Sequence, residues 1–344
     1  MCRKARFFSL ILLALLYVPA ERGEAAGAVK LAPPENGVYH SGHPDFGTKD
    51  DAVTAERVRA FTDLAGEIVW AYVSFHWDDG LEFPWEACRE LHGQGVVPLV
   101  GIMPERYTLA AILRGEFDDE IASCAEAVRS LGFPIMMEFG PEANGSWFPW
   151  SGAWNGRDGD EYGEKNHPDG PERFRDAYRR VVGIFRASGA LDITWVFHIS
   201  SSGSPKDAWN SASYYYPGDE WIDWIGASLY GRLRGDEPAV PFDEAMGKLY
   251  PGLCALSPSR PIAILELGVS DSAAAGDKAA WIRDAMASVV SGRYPRLRAV
   301  SWWNKIKRPD GTRSTLEIDS SPGSLRAYRE GVKELVSVAL WERR

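Results

Sequence analysis

Two short apolar runs in this 344-residue sequence each lead into a glutamate. Residues 135–139, apolar except for Glu138, are followed shortly by Glu142, and residues 261–265 are followed directly by Glu266. Apolar runs of this length are typical of buried strands. Two carboxyl groups can cleave a glycosidic bond, because one protonates the leaving oxygen while the other meets the positive charge that develops at the anomeric carbon. We therefore interpret Glu142 as a general acid/base and Glu266 as a nucleophile.

Strand-like and helix-like patterns alternate about eight times over roughly 300 residues around these glutamates. Such alternation predicts parallel strands joined by helical crossovers. The first strand lacks the glycine-rich fingerprint of a dinucleotide-binding sheet. We therefore predict an α/β fold, a single-domain (β/α)8 TIM barrel over residues 27–344. Its catalytic groups should lie at the carboxyl ends of the strands, and glutamates on strands four and seven can stand about 5 Å apart, as a retaining mechanism requires.

Seven further residues lie at predicted strand ends or in the loop after Glu142, where substrate would bind. They are Tyr230, Asn144, Trp147, Trp150, Trp303, His76 and His198. Tryptophan rings suit the C–H faces of sugars, and alternation turns only one of Trp302 and Trp303 inward, for which we favour Trp303. Alternatives stay open: the tryptophans as loop core, the histidines as structural groups, the tyrosine as a rim residue and the asparagine as a turn former.

A third carboxylate, Glu138, lies four residues before Glu142 and shares its face if the strand stays regular. It would then point into the barrel beneath the site. Two roles are open for it. It is either a buried, paired carboxylate that supports Glu142 or contacts a basic group, or one half of a purely structural ion pair.

Three segments resemble motifs of glycoside hydrolase family 26, the mannanase-type retaining barrel enzymes with catalytic glutamates on strands four and seven. Residues 141–150 (PEANGSWFPW) are similar to the acid/base motif, residues 223–231 (DWIGASLYG) to the strand-six signature, and residues 261–268 (PIAILELG) to the nucleophile strand. The resemblance implies Glu142 as acid/base, Glu266 as nucleophile, and a hydrogen bond from the strand-six tyrosine, Tyr230, to the nucleophile.

The sequence departs from this family pattern at two positions. Glu138 stands where the family commonly has an arginine, and Pro141 stands where it has a histidine. A proline side chain offers no hydrogen bond at the first substrate contact. We interpret the chain as a distant subgroup that acts on another β-linked polysaccharide.

Composition narrows the possible partners. The formal net charge of −10 argues against nucleic acid and anionic membranes, which need basic patches. Fourteen tryptophans and thirteen tyrosines fit a neutral polysaccharide better. No cofactor and no metal site are predicted, because the oxygen-rich stretch around Asp158 lacks the spacing of a calcium loop. The sequence does not indicate an oligomeric state.

Residues 1–26 are typical of a secretory signal peptide, with a basic start, an apolar segment over residues 7–18 and small residues before the cleavage point. A retained amino-terminal anchor is the alternative. No later run is long enough to span a membrane, so no integral membrane domain is predicted. The mature protein is expected to be secreted or periplasmic, and one disulfide stays open among its cysteines, Cys88, Cys124 and Cys254.

Together these features predict a retaining glycoside hydrolase that cleaves internal β-linkages of a polysaccharide, mannan-type or related. Two alternatives stay open: a catalytically inactive carbohydrate-binding protein on the same fold, and the same chemistry on glucan, xylan or a bacterial exopolysaccharide. The presence of both glutamates favours the enzyme, whereas Pro141 favours the binding protein. The long polar loop over residues 151–170 is expected to lie over the functional face. Endo and exo action stay open, because the choice depends on whether this loop blocks one end of the cleft.

Overall fold

The computed structural model describes residues 27–47, 50–78, 80–271, 278–305 and 315–344. Within these ranges the strands are β1 (Val29–Ala32), β2 (Tyr39–His43), β3 (Trp70–His76), β4 (Val97–Met103), β5 (Ile135–Phe139), β6 (Ile193–Ser200), β7 (Trp224–Tyr230), β8 (Ile262–Gly268), β9 (Leu297–Trp303) and β10 (Leu340–Arg343). The α-helices are α1 (Ala55–Ala65), α2 (Trp85–Gly93), α3 (Leu109–Arg114), α4 (Asp118–Arg129), α5 (Asp169–Ala187), α6 (Ala212–Tyr215), α7 (Phe242–Leu256), α8 (Lys278–Val290) and α9 (Pro322–Gly331). The predicted signal peptide, residues 1–26, lies outside the described residues.

Strands β2 to β9 form one eight-stranded parallel sheet in the order β2-β9-β8-β7-β6-β5-β4-β3. The two outer strands of this order also meet, because the backbone N–H of Val69 donates to the carbonyl of His40 at 2.9 Å. The structure therefore confirms the predicted (β/α)8 barrel. Glu142 follows the fourth barrel strand, β5, and Glu266 lies on the seventh, β8.

Alternation along each strand separates the barrel interior from the layer beneath the helices. On β9, Ala299 and Trp303 belong to the interior cluster, whereas Val300 and Trp302 pack into the outer cluster. Trp302 meets Tyr328 of α9 edge-on, with ring centroids 5.5 Å apart. The inward-facing tryptophan of the pair is Trp303, as alternation and the strand end suggest.

The two ends of the described chain close the amino-terminal end of the barrel. β1 pairs antiparallel with β10, and the carbonyl of Leu31 accepts the indole N–H of Trp224 at 3.0 Å. The sequence patterns predict instead a closing helix over residues 324–339, and the second half of that prediction is wrong. α9 ends at Gly331, a short 3-10 turn follows, and the chain then extends into β10. Pairing with a distant strand overrides local helix propensity here.

No helix within the described ranges is long and apolar enough to cross a membrane. Cys88, Cys124 and Cys254 are all free thiols. The disulfide that the sequence leaves open among these three is therefore absent.

Candidate active site

A β-bulge in β8 turns Glu266 into the barrel. Leu265 belongs to the interior cluster and its neighbours Ile264 and Leu267 to the outer one, so regular alternation would place Glu266 outside. The pairing of β7 with β8 shifts register just before Ser228, whose partner is Glu266. The extra residue leaves Leu265 and Glu266 both on the inner face. Bulges often re-aim a side chain in this way beside active sites.

Glu266 accepts a hydrogen bond from the hydroxyl of Tyr230 at 2.6 Å, the contact that the family resemblance implies. Burial raises the pKa of Glu266 to about 8, and the negative charge of Glu142 adds to the rise. The charge of His198 and the Tyr230 hydrogen bond act in the opposite direction. Because Glu142 contributes to this rise, the ionisation of Glu266 depends on the charge of its neighbour. One of the two glutamates can then act as acid while the other acts as nucleophile.

A tight turn directly after β5 presents Glu142. Gly140 and Glu142 both have left-handed backbone conformations, with φ of 58° and 53°, and for a glutamate this conformation persists only where its surroundings enforce it. The backbone N–H of Glu142 donates to the carbonyl of His198 at 3.1 Å, and its carbonyl accepts from the N–H of Gly145 at 2.7 Å. These two bonds orient the acid/base candidate.

Asn144 ties the Glu142 turn to the end of β6. Its buried side-chain amide donates to the carbonyl of Ser200 and accepts from the N–H of the same residue, both at 2.8 Å. The side chain of Asn210 donates in turn to the Asn144 carbonyl at 2.8 Å. Because its amide is committed to backbone groups, we assign Asn144 to the support of the Glu142 turn rather than to direct sugar contact.

Two tryptophans beside this turn expose large ring faces: Trp147 is 48% exposed and Trp154 is 67% exposed. The indole N–H of Trp147 donates to Oε2 of Glu142 at 2.9 Å, and that of Trp154 donates to the carbonyl of Ser146 at 2.8 Å. Each ring is thus held by its N–H edge and leaves a face open, as a sugar platform requires. Trp147 also orients the Glu142 carboxyl group.

Trp150, predicted as a substrate-binding residue, is loop core instead. It is 1% exposed and stacks on Phe148, with ring centroids 4.4 Å apart. A buried ring offers no face to a sugar, so the structure corrects this prediction. The indole N–H of Trp150 donates to the carbonyl of Pro141 at 2.8 Å. Pro141 therefore has a structural role, which a proline can fill because the contact uses only its carbonyl.

Trp303 lies at the carboxyl end of β9 with part of its surface exposed. His43 stacks on the indole, with ring centroids 4.2 Å apart and planes 21° apart. Tyr72 meets it edge-on at 5.5 Å. These two neighbours hold the plane of the indole, an arrangement compatible with the predicted role as a sugar platform.

Glu138 and His198 form a buried pair beneath the two candidate catalytic glutamates. Glu138 is 0% and His198 3% exposed, and Oε2 of the carboxylate lies 2.9 Å from Nδ1 of the imidazole. Nε2 of the imidazole lies 2.8 Å from Oγ of Ser228. Burial disfavours the charged imidazole, but the charge and hydrogen bond of Glu138 outweigh it and raise the pKa of His198 to about 9. Glu138 thus contacts a basic group, and His198 lies below the cleft rather than lining it.

His76 lies at the rim, at the end of β3. Its side chain is exposed, and Nδ1 is 2.9 Å from the carboxylate of Glu105. The other predicted substrate-binding residues lie in the loop that begins with the Glu142 turn, or on β6, β7 and β9. His76 instead pairs with a residue that the sequence analysis did not single out.

The loop over residues 151–170 folds onto the first turn of α5. The carboxylate of Asp169 accepts hydrogen bonds from the N–H groups of Glu161 at 3.0 Å and Tyr162 at 2.9 Å. The carboxylate of Glu172 accepts from the N–H of Glu164 at 3.0 Å. These acidic groups suit a helix amino terminus, and the helix begins at Asp169, within the last residues of the predicted loop.

Sequence reasoning missed three residues of the site: His43, Tyr72 and Ser228. A signal existed for Ser228, which stands two residues before Tyr230 and so shares its face of β7. No comparable signal exists for His43 and Tyr72, because their importance comes from meeting Trp303 across neighbouring strands.

The family model for glycosyl hydrolase family 26 matches residues 105–246. The sequence is 27% identical over 283 residues to Endoglucanase H of Acetivibrio thermocellus, covering 80% of this chain and 29% of that protein. It is 31% identical over 121 residues to a mannan endo-1,4-beta-mannosidase of Bifidobacterium adolescentis, covering 33% of this chain and 10% of that protein. The chain therefore spans less than a third of the length of either relative.

The barrel also resembles solved structures. A family 26 β-mannanase from Bacteroides ovatus has a TM-score of 0.58 at 13% identity, covering 88% of this chain and 90% of that chain. The likeness shows a shared fold. The family model covers the Glu142 turn and the strand of Tyr230, while the nucleophile strand lies beyond it. Over residues 105–246 the chain is therefore similar to glycosyl hydrolase family 26, and the relatives and the barrel fold agree with this similarity.

Proposed function

We propose that the protein is a retaining glycoside hydrolase that cleaves internal β-linkages of a polysaccharide. Glu142 protonates the leaving oxygen, Glu266 attacks the anomeric carbon, and Glu142 then activates the water that releases the sugar from the enzyme. One observation carries the proposal: Tyr230 holds the buried carboxyl group of Glu266 at the barrel mouth by a hydrogen bond, and the charge of Glu142 acts on that group. The open faces of Trp147 and Trp154 supply sugar platforms beside Glu142.

A β-glucan is our first choice of substrate and a mannan our second. The match to a protein named endoglucanase spans 80% of the chain, whereas the match to one named endo-mannosidase spans 33%. Both names describe endo-acting enzymes, which favours cleavage of internal linkages. Pro141 supports the same preference, because the histidine of the mannanase pattern is absent. The signal-like segment at residues 1–26 makes export part of the proposal.

The test is incubation of the purified protein with soluble β-glucans, β-mannans, xylans and bacterial exopolysaccharides, with the product anomers followed by NMR. We expect oligosaccharides from a β-glucan, and the β-anomer should appear before mutarotation produces the α-anomer. An α-anomer appearing first would contradict retention. Measurable binding without cleavage of any polymer would replace the enzyme with a carbohydrate-binding protein.

Gly145→Ala is expected to lower kcat about tenfold with little loss of thermal stability. A Cβ at this position would lie 2.2 Å from Cζ2 of Trp147, so the exposed indole must move away. Its hydrogen bond to Glu142 is then lost, and hydrogen bonds to charged groups contribute about 1.5–3 kcal/mol. Steady-state kinetics and a melting curve on the same preparation check this. Gly93→Ala is the matched control, because a Cβ there has nothing within 4 Å; equal kcat in both variants would contradict a role for Trp147.

A further inference from the structure

Resting on the proposed function, we propose that Glu138 and His198 form a buried charge pair that positions both catalytic glutamates and stabilises the ionised form of Glu266. Neither residue touches the reacting atoms. Both act through the groups that do.

His198 is connected to each catalytic glutamate by a different part of its structure. Its backbone carbonyl accepts the N–H of Glu142 at 3.1 Å. Its imidazole Nε2 lies 2.8 Å from Oγ of Ser228, and Ser228 is the residue paired with Glu266 across the β7–β8 bulge. A shift of His198 would therefore displace the acid/base turn and the nucleophile strand together.

Glu138 determines where the imidazole lies and whether it is charged. Its Oε2 lies 2.9 Å from Nδ1 of His198, and both side chains are fully enclosed. A buried charge persists only when it is paired. With Nδ1 donating to Glu138, a protonated ring uses its second N–H on Ser228, so both ring hydrogens have acceptors.

Three carboxylates face this one imidazole: Glu138 on β5, Glu142 on the turn after β5, and Glu266 on β8, and all three favour its charged form. Three tyrosines on β3, α5 and β7, namely Tyr72, Tyr178 and Tyr230, are influenced by the charge of Glu138 or Glu266. Burial raises the pKa of each tyrosine well above its usual value, so these hydroxyls stay neutral.

The positive charge of the imidazole favours an ionised Glu266 in a setting where burial and Glu142 both oppose ionisation. A nucleophile must be ionised to attack. If Glu138 lost its charge, burial would favour the neutral imidazole, and Glu266 would then keep its proton to higher pH.

The first experiment reads the imidazole directly and needs no activity. In protein labelled with 15N-histidine, the NMR signals of His198 are identified by their loss in His198→Gln. We expect a protonated ring at pH 7 in the wild type, with a titration midpoint near 9. In Glu138→Gln the midpoint should fall below that of the wild type, because burial is then opposed only by the charges of Glu142 and Glu266. A neutral wild-type ring at pH 7 would overturn the proposal.

The second experiment is the pH dependence of kcat/KM. Glu138→Gln should move the profile upward, because the loss of the imidazolium charge, which lowers the pKa of Glu266, outweighs the loss of the smaller opposing charge of Glu138. Glu105→Gln is the matched control: it neutralises the exposed His76–Glu105 pair, which has the same 2.9 Å separation, and its profile should not move. A folded Glu138→Gln protein with the wild-type profile would overturn the proposal. A purely structural role would lower kcat/KM without changing the pH values at which it rises and falls.

Ser228→Ala keeps the test falsifiable if Glu138→Gln does not fold. It removes only the partner of Nε2, and the titration midpoint of His198 should fall by a smaller amount than in Glu138→Gln. An unchanged midpoint would count against the proposal.

The proposed function and this inference fail in different ways. A wild type that cleaves no glycan overturns the proposed function and the catalytic part of this inference, whereas an active wild type with a neutral His198 overturns this inference alone.

Discussion

Glu266→Gln is expected to lower kcat on the polysaccharide substrate by on the order of 10⁴-fold or more, because the amide cannot attack the anomeric carbon. The substitution keeps the size of the side chain and an oxygen for the Tyr230 hydroxyl, which now donates at 2.6 Å. Glu142→Gln removes the general acid, and its expected loss is about 10²–10⁴-fold. Both proteins should fold, since neither substitution changes side-chain volume appreciably.

The two variants should separate on an aryl glycoside whose leaving group departs without protonation. Glu142→Gln is then expected to form the glycosyl-enzyme quickly and to accumulate it, because no base activates the water. Mass spectrometry would detect the added sugar. Glu266→Gln should form no such adduct with any leaving group.

Glu244→Gln on α7 is the control for this pair, because its side chain is 54% exposed and pairs with a surface lysine one turn away. Its kcat should stay within about twofold of the wild type, as expected for an exposed ion pair. A folded Glu266→Gln protein that keeps substantial activity would rule out the two-glutamate mechanism.

Gly101→Ala should produce the largest loss of stability among single methyl additions in the barrel interior. A Cβ on this β4 residue would lie 1.7 Å from the hydroxyl oxygen of Tyr72 and 2.3 Å from its Cζ. The tyrosine is buried and lies against Trp303, so its ring has little room to retreat. Overpacking of this kind costs about 3 kcal/mol, which corresponds to a fall in Tm of roughly 5–10 °C.

Denaturant unfolding and a melting curve measure this effect, and Gly247→Ala in α7 is the matched control. A Cβ at Gly247 meets nothing within 4 Å, and replacing an exposed helical glycine by alanine stabilises by about 0.5–1 kcal/mol. The two variants add the same methyl group and should change stability in opposite directions. A Gly101→Ala protein as stable as the wild type would show that Tyr72 is not confined as described.

The strand-end glutamates illustrate how far sequence patterns go. Alternating apolar runs and helical stripes predict the barrel and place Glu142 after its fourth strand and Glu266 on its seventh, as the structure has them. Regular alternation, however, would turn Glu266 outward. Only the bulge between β7 and β8 brings it inside, and a bulge depends on how two strands pair.

Trp147 and Trp150 make the same point within one loop. Both are tryptophans in the same ten-residue motif, and residue type alone does not show which of them is exposed. The structure exposes one beside Glu142 and buries the other on Phe148. Both rings follow the left-handed turn at Gly140 and Glu142, and only the folded loop decides which of them is exposed and which is buried.

The sequence by itself determined the order of strands and helices, the barrel, and the two glutamates at its carboxyl end, because hydrophobic periodicity is local and parallel strands present their ends at one face. Only the tertiary structure decided that Glu138 meets His198, that His43 and Tyr72 support Trp303, and that β10 replaces the second half of a predicted helix. Each of these contacts joins residues far apart in the chain. Their partners are chosen by the closure of the barrel, which no local pattern encodes.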